Sequence, residues 1–427
     1  MPGAVGRALS GLTTRGRCLL AAGLALAACA VLLGQRDLLR AAVFLIFLPL
    51  AAVFVVARTR YRLACARLLD PPRVEAGRPA TVRLRLDNVS KISSGVLLME
   101  DALPYVLGGR PRFVLDRVEP KGVREVSYPV RADVRGRYRV GPLSVRLTDP
   151  FGLVEMSRSF SSTDDLIVTP TVSPLPTIRL GGDWTGGGDA TARSIAATGS
   201  DDAATREYRH GDDLRKVHWR STARVGELMV RREEQPFQSR ATVLLDSRVI
   251  AHRGDGPGSS FEWAVSGVAS IAVNLGRAGY GLRVLLDNGV DLVPVSVPSS
   301  EGAVLDALAG VASSRAESLE AATGQLRRNG VDGVLVAVLG SLRPDDAERL
   351  ARLRHGAGAC VAVLVDAESW APSGPRRREE AKQAYESSAT LLAAAGWRVL
   401  RVEHGTTLAS VWPLAATVAA RAETAVR

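Results

Sequence analysis

Lysine is almost missing from this basic chain. It stands only at Lys91, Lys121, Lys216 and Lys382, so the formal net charge of +11 over 427 residues is carried by arginine. A basic balance ordinarily points to nucleic acid or an anionic membrane surface. An Ala- and Gly-rich composition is also what a GC-rich genome encodes, and much of the basicity is discounted on that ground. Cysteine is scarce as well: Cys18, Cys29, Cys65 and Cys360 show no CxxC and no Cys/His ligand spacing. A disulfide framework and a zinc site are therefore not expected, and nothing argues for an oxidising compartment. Aromatic residues make up 5% of the chain. Few of them interleave with Arg110, Arg112, Arg117, Arg124, Arg131, Arg135, Arg137, Arg139 and Arg146, so this Arg-rich stretch lacks the stacking platform of a single-strand nucleic-acid binder. It reads instead as a solvated face beside an anionic membrane.

Long apolar runs are present, and only at the N-terminus. Cys18 to Leu33 ("CLLAAGLALAACAVLL") and Ala41 to Ala57 ("AAVFLIFLPLAAVFVVA") are each about 17 residues, near the lower limit for crossing a bilayer. The first run offers small residues for signal-peptide cleavage. The second follows after only "GQRDLLR", which favours a helical hairpin with both ends on one side. Arg7, Arg15 and Arg17 precede the first run, and Arg58, Arg60, Arg62 and Arg67 follow the second. Arg36 and Arg40 in the turn are partly offset by Asp37. The positive-inside rule then puts both ends, and the bulk of the chain, in the cytoplasm. The arginines after the second run would face anionic headgroups.

The remaining length allows two or three domains. Residues 1–67 are expected to form the membrane anchor and residues 68–175 an antiparallel β-sandwich. "ATVRLRLDN" alternates Val82, Leu84 and Leu86 against Arg83 and Arg85, the period of a half-buried strand. Similar short runs recur between Gly, Pro and Asn, and "DPFGL" (Asp149 to Leu153) has β-turn chemistry. Residues 176–204 read as a Gly-rich linker, without GxxxxGK[ST] and so without a P-loop. Residues 236–427 alternate strand and helix, which predicts a mostly parallel sheet covered on both faces. Ligand sites in such sheets lie beyond the carboxyl ends of the strands, where Asp246, Asp287 and Asp366 stand.

Between linker and sheet, residues 205–235 hold the densest chemistry, "REYRHGDDLRKVHWRSTAR". Asp212 suits a helix N-cap and Asp213 the first turn. The helix would bring Arg215 over Trp219 and His218 over Thr222, bury Val217 and Trp219, and lead into "ELMVRREE" as a strand of the α/β sheet. On this reading Arg206, Tyr208, Gly211, Asp212, Asp213, Arg215, His218, Trp219 and Arg224 form an interaction or interdomain clasp. The competing reading makes His218 a base oriented by Asp212 or Asp213, with Arg206, Arg215 and Arg224 stabilising an anion, as in a hydrolase. No activated nucleophile stands out, since Ser221 lacks a nucleophile-elbow context. No cofactor and no small-molecule substrate are expected.

The apolar hairpin, the strand-rich region, "RGRYRVGPLSVRLTDPFGL", the clasp motif and the α/β tail together resemble the family catalogued as domain of unknown function 58. The resemblance covers nearly the whole chain. It implies a C-terminal α/β domain (Rossmann-type) similar to a von Willebrand factor A domain. It also implies a role in assembly or maturation beside MoxR-type AAA+ ATPases, one of which would be the protein partner. A carboxylate often stands in the family where His218 does, which weakens an imidazole mechanism. A von Willebrand A domain holds a divalent ion through Asp-x-Ser-x-Ser after its first strand. Here "LLDSRVIAH" keeps Asp246 but places Arg248 and Ile250 at the two Ser positions. A guanidinium donates hydrogen bonds and accepts none, so the resemblance implies a degenerate metal site, with Arg248 paired to Asp246 or standing in for the cation. The expected protein is thus a membrane-anchored cytosolic adaptor, with a passive scaffold acting through its spans as a weaker third class.

Overall fold

The computed structural model describes residues 11–58, 63–91, 93–94, 96–116, 118–149, 151–178, 180, 205–208, 217, 219–231, 240–293, 301–330, 333–353, 359–371 and 374–416. They fall into two compact units. The first comprises Met1–Ser173, Gly254–Ser270 and Ser300–Ser313; the second comprises Pro174–Arg253, Ile271–Ser299 and Ser314–Arg427.

The first unit opens with two antiparallel-run helices, α1 (Thr14–Leu33) and α2 (Arg36–Arg58). Thr13 caps α1 by accepting from the Gly16 N–H, and Gly34 ends it at φ 64° in the left-handed region. Thr14–Leu33 and Arg36–Phe54 are long and apolar enough to cross a membrane, each with a mean hydropathy of 2.1.

Three small sheets follow. β1 (Leu63–Asp70) and β6 (Val123–Arg131) flank β3 (Pro79–Asn88), all antiparallel. β10 (Asp164–Thr169) lies between β2 (Arg73–Glu75) and β7 (Gly136–Val140). The β2–β10 pairing is parallel, a departure from the purely antiparallel expectation. β5 (Arg112–Leu115), β4 (Leu97–Asp101), β8 (Leu143–Thr148) and β9 (Glu155–Ser159) form the third sheet in that order. Val82, Leu84 and Leu86 point inward as their alternation requires, and meet Leu97, Met99, Leu143, Val145, Leu166 and Val168 in one core. Each such side chain withdrawn from water contributes about 1.5–3 kcal/mol.

Two arginines correct the sequence reading. Arg67 is not a headgroup-facing residue: the strand period carries it to the Leu69 face of β1, where its side chain is 1% exposed. It pairs with Asp101 at 2.7 Å and Asp164 at 3.1 Å. Its guanidinium also fills the space beside Gly141 (φ 99°), where an added Cβ would lie 2.6 Å from Nη1. Arg135 is buried too, donating to the carbonyls of Leu308 and Val311, pairing with Glu262 and lying 5.0 Å from the Phe261 ring centre. The exposed arginines 110, 112, 124, 131, 139 and 146 each have a carboxylate partner, and Arg117 lies outside the described residues.

The second unit holds a six-stranded sheet: β13 (Arg240–Leu245), β14 (Gly281–Leu286), β15 (Asp291–Val293), β16 (Val334–Leu339), β17 (Ala359–Val365) and β18 (Arg398–Val402). Its order is β15-β14-β13-β16-β17-β18. All pairings are parallel except that of β15, an edge strand unforeseen from the sequence. This is the doubly wound order, and its direction of winding reverses between β13 and β16. In chain order the helices between these strands are α4 (Ser260–Arg277), α5 (Glu301–Ala309), α6 (Glu320–Asn329), α7 (Pro344–Arg352) and α8 (Pro375–Ala394), of which α5 and α4 up to Ser270 belong to the first unit. The segment "EGAVLDALAGVASSRAESL" gives α5 and then non-helical chain. Leu326 of α6, Leu350 of α7 and Leu392 of α8 pack with Leu244, Leu335, Ala337, Ala362 and Leu364 over one face of the sheet. β16 and β17 are buried at every position, as near-continuous apolar runs require.

Candidate functional site

The switch between β13 and β16 is where a doubly wound sheet presents a ligand site. Here it is closed by charge. Asp246 follows β13 directly and is fully buried, its N–H donating to the Val338 carbonyl at 3.0 Å. Arg248, two residues on, turns back over it. Its Nε donates to Asp246 Oδ1 and its Nη2 to Asp246 Oδ2, each at 2.8 Å, a bidentate pair. Its Nη1 donates to Asp346 Oδ2 at 2.7 Å and to the Glu317 carbonyl at 3.4 Å. The Arg248 side chain is 0% exposed, as is Asp246, and Asp346 is 1% exposed.

The carboxylates have further donors. Asp246 accepts from the Arg248 N–H at 3.2 Å and the Gly340 N–H at 3.4 Å, and Asp346 accepts from the Leu319 N–H at 2.9 Å. Burial opposes the charge on Arg248, but the hydrogen bonds and charge of Asp246, and then Asp346, raise its pKa above the ordinary value. The cluster therefore carries a permanent internal cation. Both oxygens of Asp246 are engaged, so the carboxylate offers neither a free ligand to a metal nor a base to a substrate. Among the described residues no group of three or more His, Cys, Asp or Glu has the arrangement of a metal site.

Two flanking groups complete the strand end. His252 Nε2 lies 2.8 Å from the Asp246 carbonyl. Burial lowers its pKa against the opposing charge of Asp246, so the ring is neutral and donates from Nε2. Asp287, after β14, accepts from the Ser247 N–H at 3.1 Å and from the Ser247 hydroxyl. Among the described residues its Oδ2 has no hydrogen-bond partner. Asp366, after β17, stands apart from this cluster; burial and the nearby Glu403 charge push its carboxyl up.

The clasp motif is described only in part. Gly211, Asp212, Asp213, Arg215 and His218 lie outside the described residues, and so do the cap, helix pairings and acid/base arrangement expected of them. Arg206 is in β11 (Thr205–Glu207), which pairs antiparallel with β12 (Met229–Arg231) as a separate two-stranded sheet. Met229–Arg231 of "ELMVRREE" is thus not paired in the α/β sheet. Tyr208 is half-buried, with its N–H donating to the Leu228 carbonyl at 2.8 Å. Val217 is buried as expected, at 8% exposure. Trp219 is the correction: it is 71% exposed. Trp219 is the first described residue of the helix α3 (Trp219–Val225). Arg224, in the last turn of α3, is exposed as well.

Sequence reasoning missed Asp346. It is 98 residues from Arg248, and no local pattern joins them. His252 stands within the quoted "LLDSRVIAH" without a role; its spacing from Asp246 was the available signal.

Comparison with known proteins gives one family match. Residues 204–371 match the family described as "Protein of unknown function DUF58", so the chain carries a DUF58-family domain there. No curated protein matches the sequence. Among solved structures, the chain is similar to the CARDB domain of the PF1109 protein from Pyrococcus furiosus, in complex with di-metal ions. That match has 14% identity and a TM-score of 0.20, covering 26% of this chain and 90% of that one. It is similar also to the complex of zinc 2-glycoprotein and prolactin inducible protein from human seminal plasma, at 11% identity and TM-score 0.20, covering 26% and 98%. A third is the ASH/PapD-like domain of human CEP192, at 12% identity and TM-score 0.17, covering 25% and 85%.

Proposed function

We propose that this chain is a membrane-anchored adaptor. The apolar hairpin fixes it to the cell membrane, the arginine distribution keeps its bulk in the cytoplasm, and the DUF58 domain presents a face to a protein partner. The observation that carries the reading is Trp219, an indole left 71% exposed inside the signature motif, with Arg224 exposed on the same short helix. Tryptophan and arginine are the side chains on which protein interfaces most often depend. The family resemblance makes a MoxR-type AAA+ ATPase the partner of choice.

The doubly wound order, its antiparallel edge strand and Asp246 at the switch support a von Willebrand A-like reading of the α/β domain. Arg248 then supplies from within the positive charge that such domains take from a divalent ion, and partner recognition is independent of metal. Asp212, Asp213 and His218, on which the hydrolase alternative rests, lie outside the described residues.

The test is a crosslinking pull-down from native membranes, comparing wild type with Trp219→Ser and Arg224→Glu at matched levels and matched thermal stability, with and without EDTA. Recovery of an AAA+ ATPase by wild type, indifferent to EDTA and lost from the variants, supports the adaptor. Equal recovery by all three sinks the Trp219 face. If none recovers a partner, the adaptor loses its main support, and the chain is assayed for hydrolysis against a His218→Asn control.

A further inference from the structure

The "DPFGL" turn between β8 and β9 does more than reverse the chain. Asp149 fixes its shape by accepting three backbone N–H groups: Phe151 at 3.0 Å, Leu153 at 2.6 Å and Val154 at 2.7 Å. The turn so formed is seated on the open end of the helical hairpin. The Thr13 hydroxyl donates to the Gly152 carbonyl at 2.7 Å, and the Thr13 N–H donates to the Leu153 carbonyl at 2.9 Å. Gly16 permits the approach, because a Cβ there would lie 2.5 Å from the Leu153 carbonyl oxygen. Leu153 and Val154 pack into a cluster with Leu12, Ala52 and Val53.

These contacts set the height of the turn. Thr13 caps α1 five residues before the first apolar run begins at Cys18, and Ala52 and Val53 lie five and four residues before the second run ends at Ala57. The turn therefore touches α1 just outside the apolar run and α2 just inside it, which brackets the level at which the two helices leave the apolar layer. Its side chains divide accordingly. Leu153 and Val154 are 3% and 0% exposed, whereas Phe151 is 64% exposed. Arg15, in the first turn of α1, is exposed beside it, with its Nη1 3.7 Å from a Cβ built on Gly152.

We propose that Phe151 inserts into the headgroup–acyl boundary of the bilayer, making the β8–β9 turn a third membrane contact that holds the β-sandwich against the membrane surface. An aromatic ring held at interface depth by a rigid turn, with an arginine at headgroup level beside it, has the distribution expected of an interfacial anchor. The proposal rests on reading the hairpin as membrane-spanning.

The test places the photoreactive residue p-benzoylphenylalanine, in the full chain in phosphatidylcholine–phosphatidylglycerol nanodiscs, at Phe151, at Phe47 of α2 or at Tyr105. Phe47 is 63% exposed and Tyr105 97% exposed. Lipid adducts are read by mass spectrometry after irradiation. The expected result is adducts at 151 and 47 and none at 105. Adducts at 47 without any at 151 overturn the insertion while the membrane reading stands. No adduct at 47 or 151 removes the membrane reading itself. A second variant, Asp149→Ala, is expected to lower the yield at 151 and leave that at 47 unchanged; equal yields at 151 in both backgrounds show that the turn does not aim the ring.

Discussion

Arg67 in the sandwich and Arg248 at the end of β13 are both enclosed cations held by two carboxylates, and the enclosure differs. Arg248 meets Asp246 and Asp346, which are 0% and 1% exposed. Arg67 meets Asp101, also 0% exposed, and Asp164, which is 43% exposed. One cluster is closed to water on every side, and the other opens at one carboxylate. In the closed cluster the charges have one another, a few backbone groups and, at 3.4 Å from Asp346, the guanidinium of Arg349. In the open one, solvent stands ready to take over part of the pairing. Burial of a salt bridge is weak evidence of net stabilisation, but removal of one partner is costly in proportion to how little else the survivors can find.

The largest expected effect is therefore Arg248→Met. It strands Asp246 in the interior and leaves Asp346 with Arg349 as its one cationic partner among the described residues, and the chain is expected to lose about 3–5 kcal/mol of stability, read by denaturant titration in detergent micelles. Neutralising the survivors as well, with Asp246→Asn and Asp346→Asn, is expected to return part of that loss, because the uncompensated charge is what does the damage. A loss below about 1 kcal/mol for Arg248→Met would break the comparison at its strong end.

Arg67→Met comes second, at about 2–4 kcal/mol and below the Arg248 value measured the same way. Asp164 turns to water, while Asp101 keeps the Tyr128 hydroxyl, which donates to it at 2.5 Å. A loss equal to that of Arg248→Met would mean that exposure of one carboxylate gives no relief.

Tyr128→Phe sharpens the same contrast, with an expected loss of about 1–2 kcal/mol for the buried hydrogen bond. It also carries a pH signature. Burial first, and then the hydrogen bond and charge of Asp101, raise the Tyr128 pKa well above the usual phenol value. The neutral phenol is favoured in the fold, so its contribution is complete below about pH 10, where an unfolded tyrosine titrates, and is lost as pH climbs beyond it. Stability measured from pH 8 to 11 is expected to fall more steeply for wild type than for Tyr128→Phe. Parallel curves would remove Tyr128 as the source.

The two arginines also show what a sequence discloses. The Arg248–Asp246 pair is two residues apart, and a five-residue pattern was enough to bring the two together. Arg67's carboxylates are 34 and 97 residues away, and with nothing nearby to suggest burial the residue passed for part of a membrane-facing basic cluster. Alternation in β3 and the apolar runs of β16 and β17 were legible because burial acts there through local period. The parallel β2–β10 pairing and the antiparallel edge β15 were not, being three-residue strands whose partners are chosen by tertiary contact. Trp219 failed for a related reason. Helical spacing places it on a face, but whether anything covers that face is decided by tertiary contact, and Trp219 is left 71% exposed.

The smallest effect tests the closed cluster from its rim. His252 is held neutral, lowered chiefly by burial and also by the Arg248 charge, against the opposing pull of Asp246 and Asp287. The unfolded chain takes up a proton near pH 6.5 that the folded chain refuses, so the contribution of His252 is complete above that pH and is lost as pH falls through it. The slope from this one group is at most about 1.4 kcal/mol per pH unit. Stability is expected to decline between pH 7 and 5 by more in wild type than in His252→Gln, whose amide can still donate to the Asp246 carbonyl without titrating. The sandwich cluster holds no histidine, so Tyr128→Phe should leave this acid limb unchanged. If it does not, the two clusters are energetically coupled, and the contrast between a closed and an open arginine is not a property of each cluster alone.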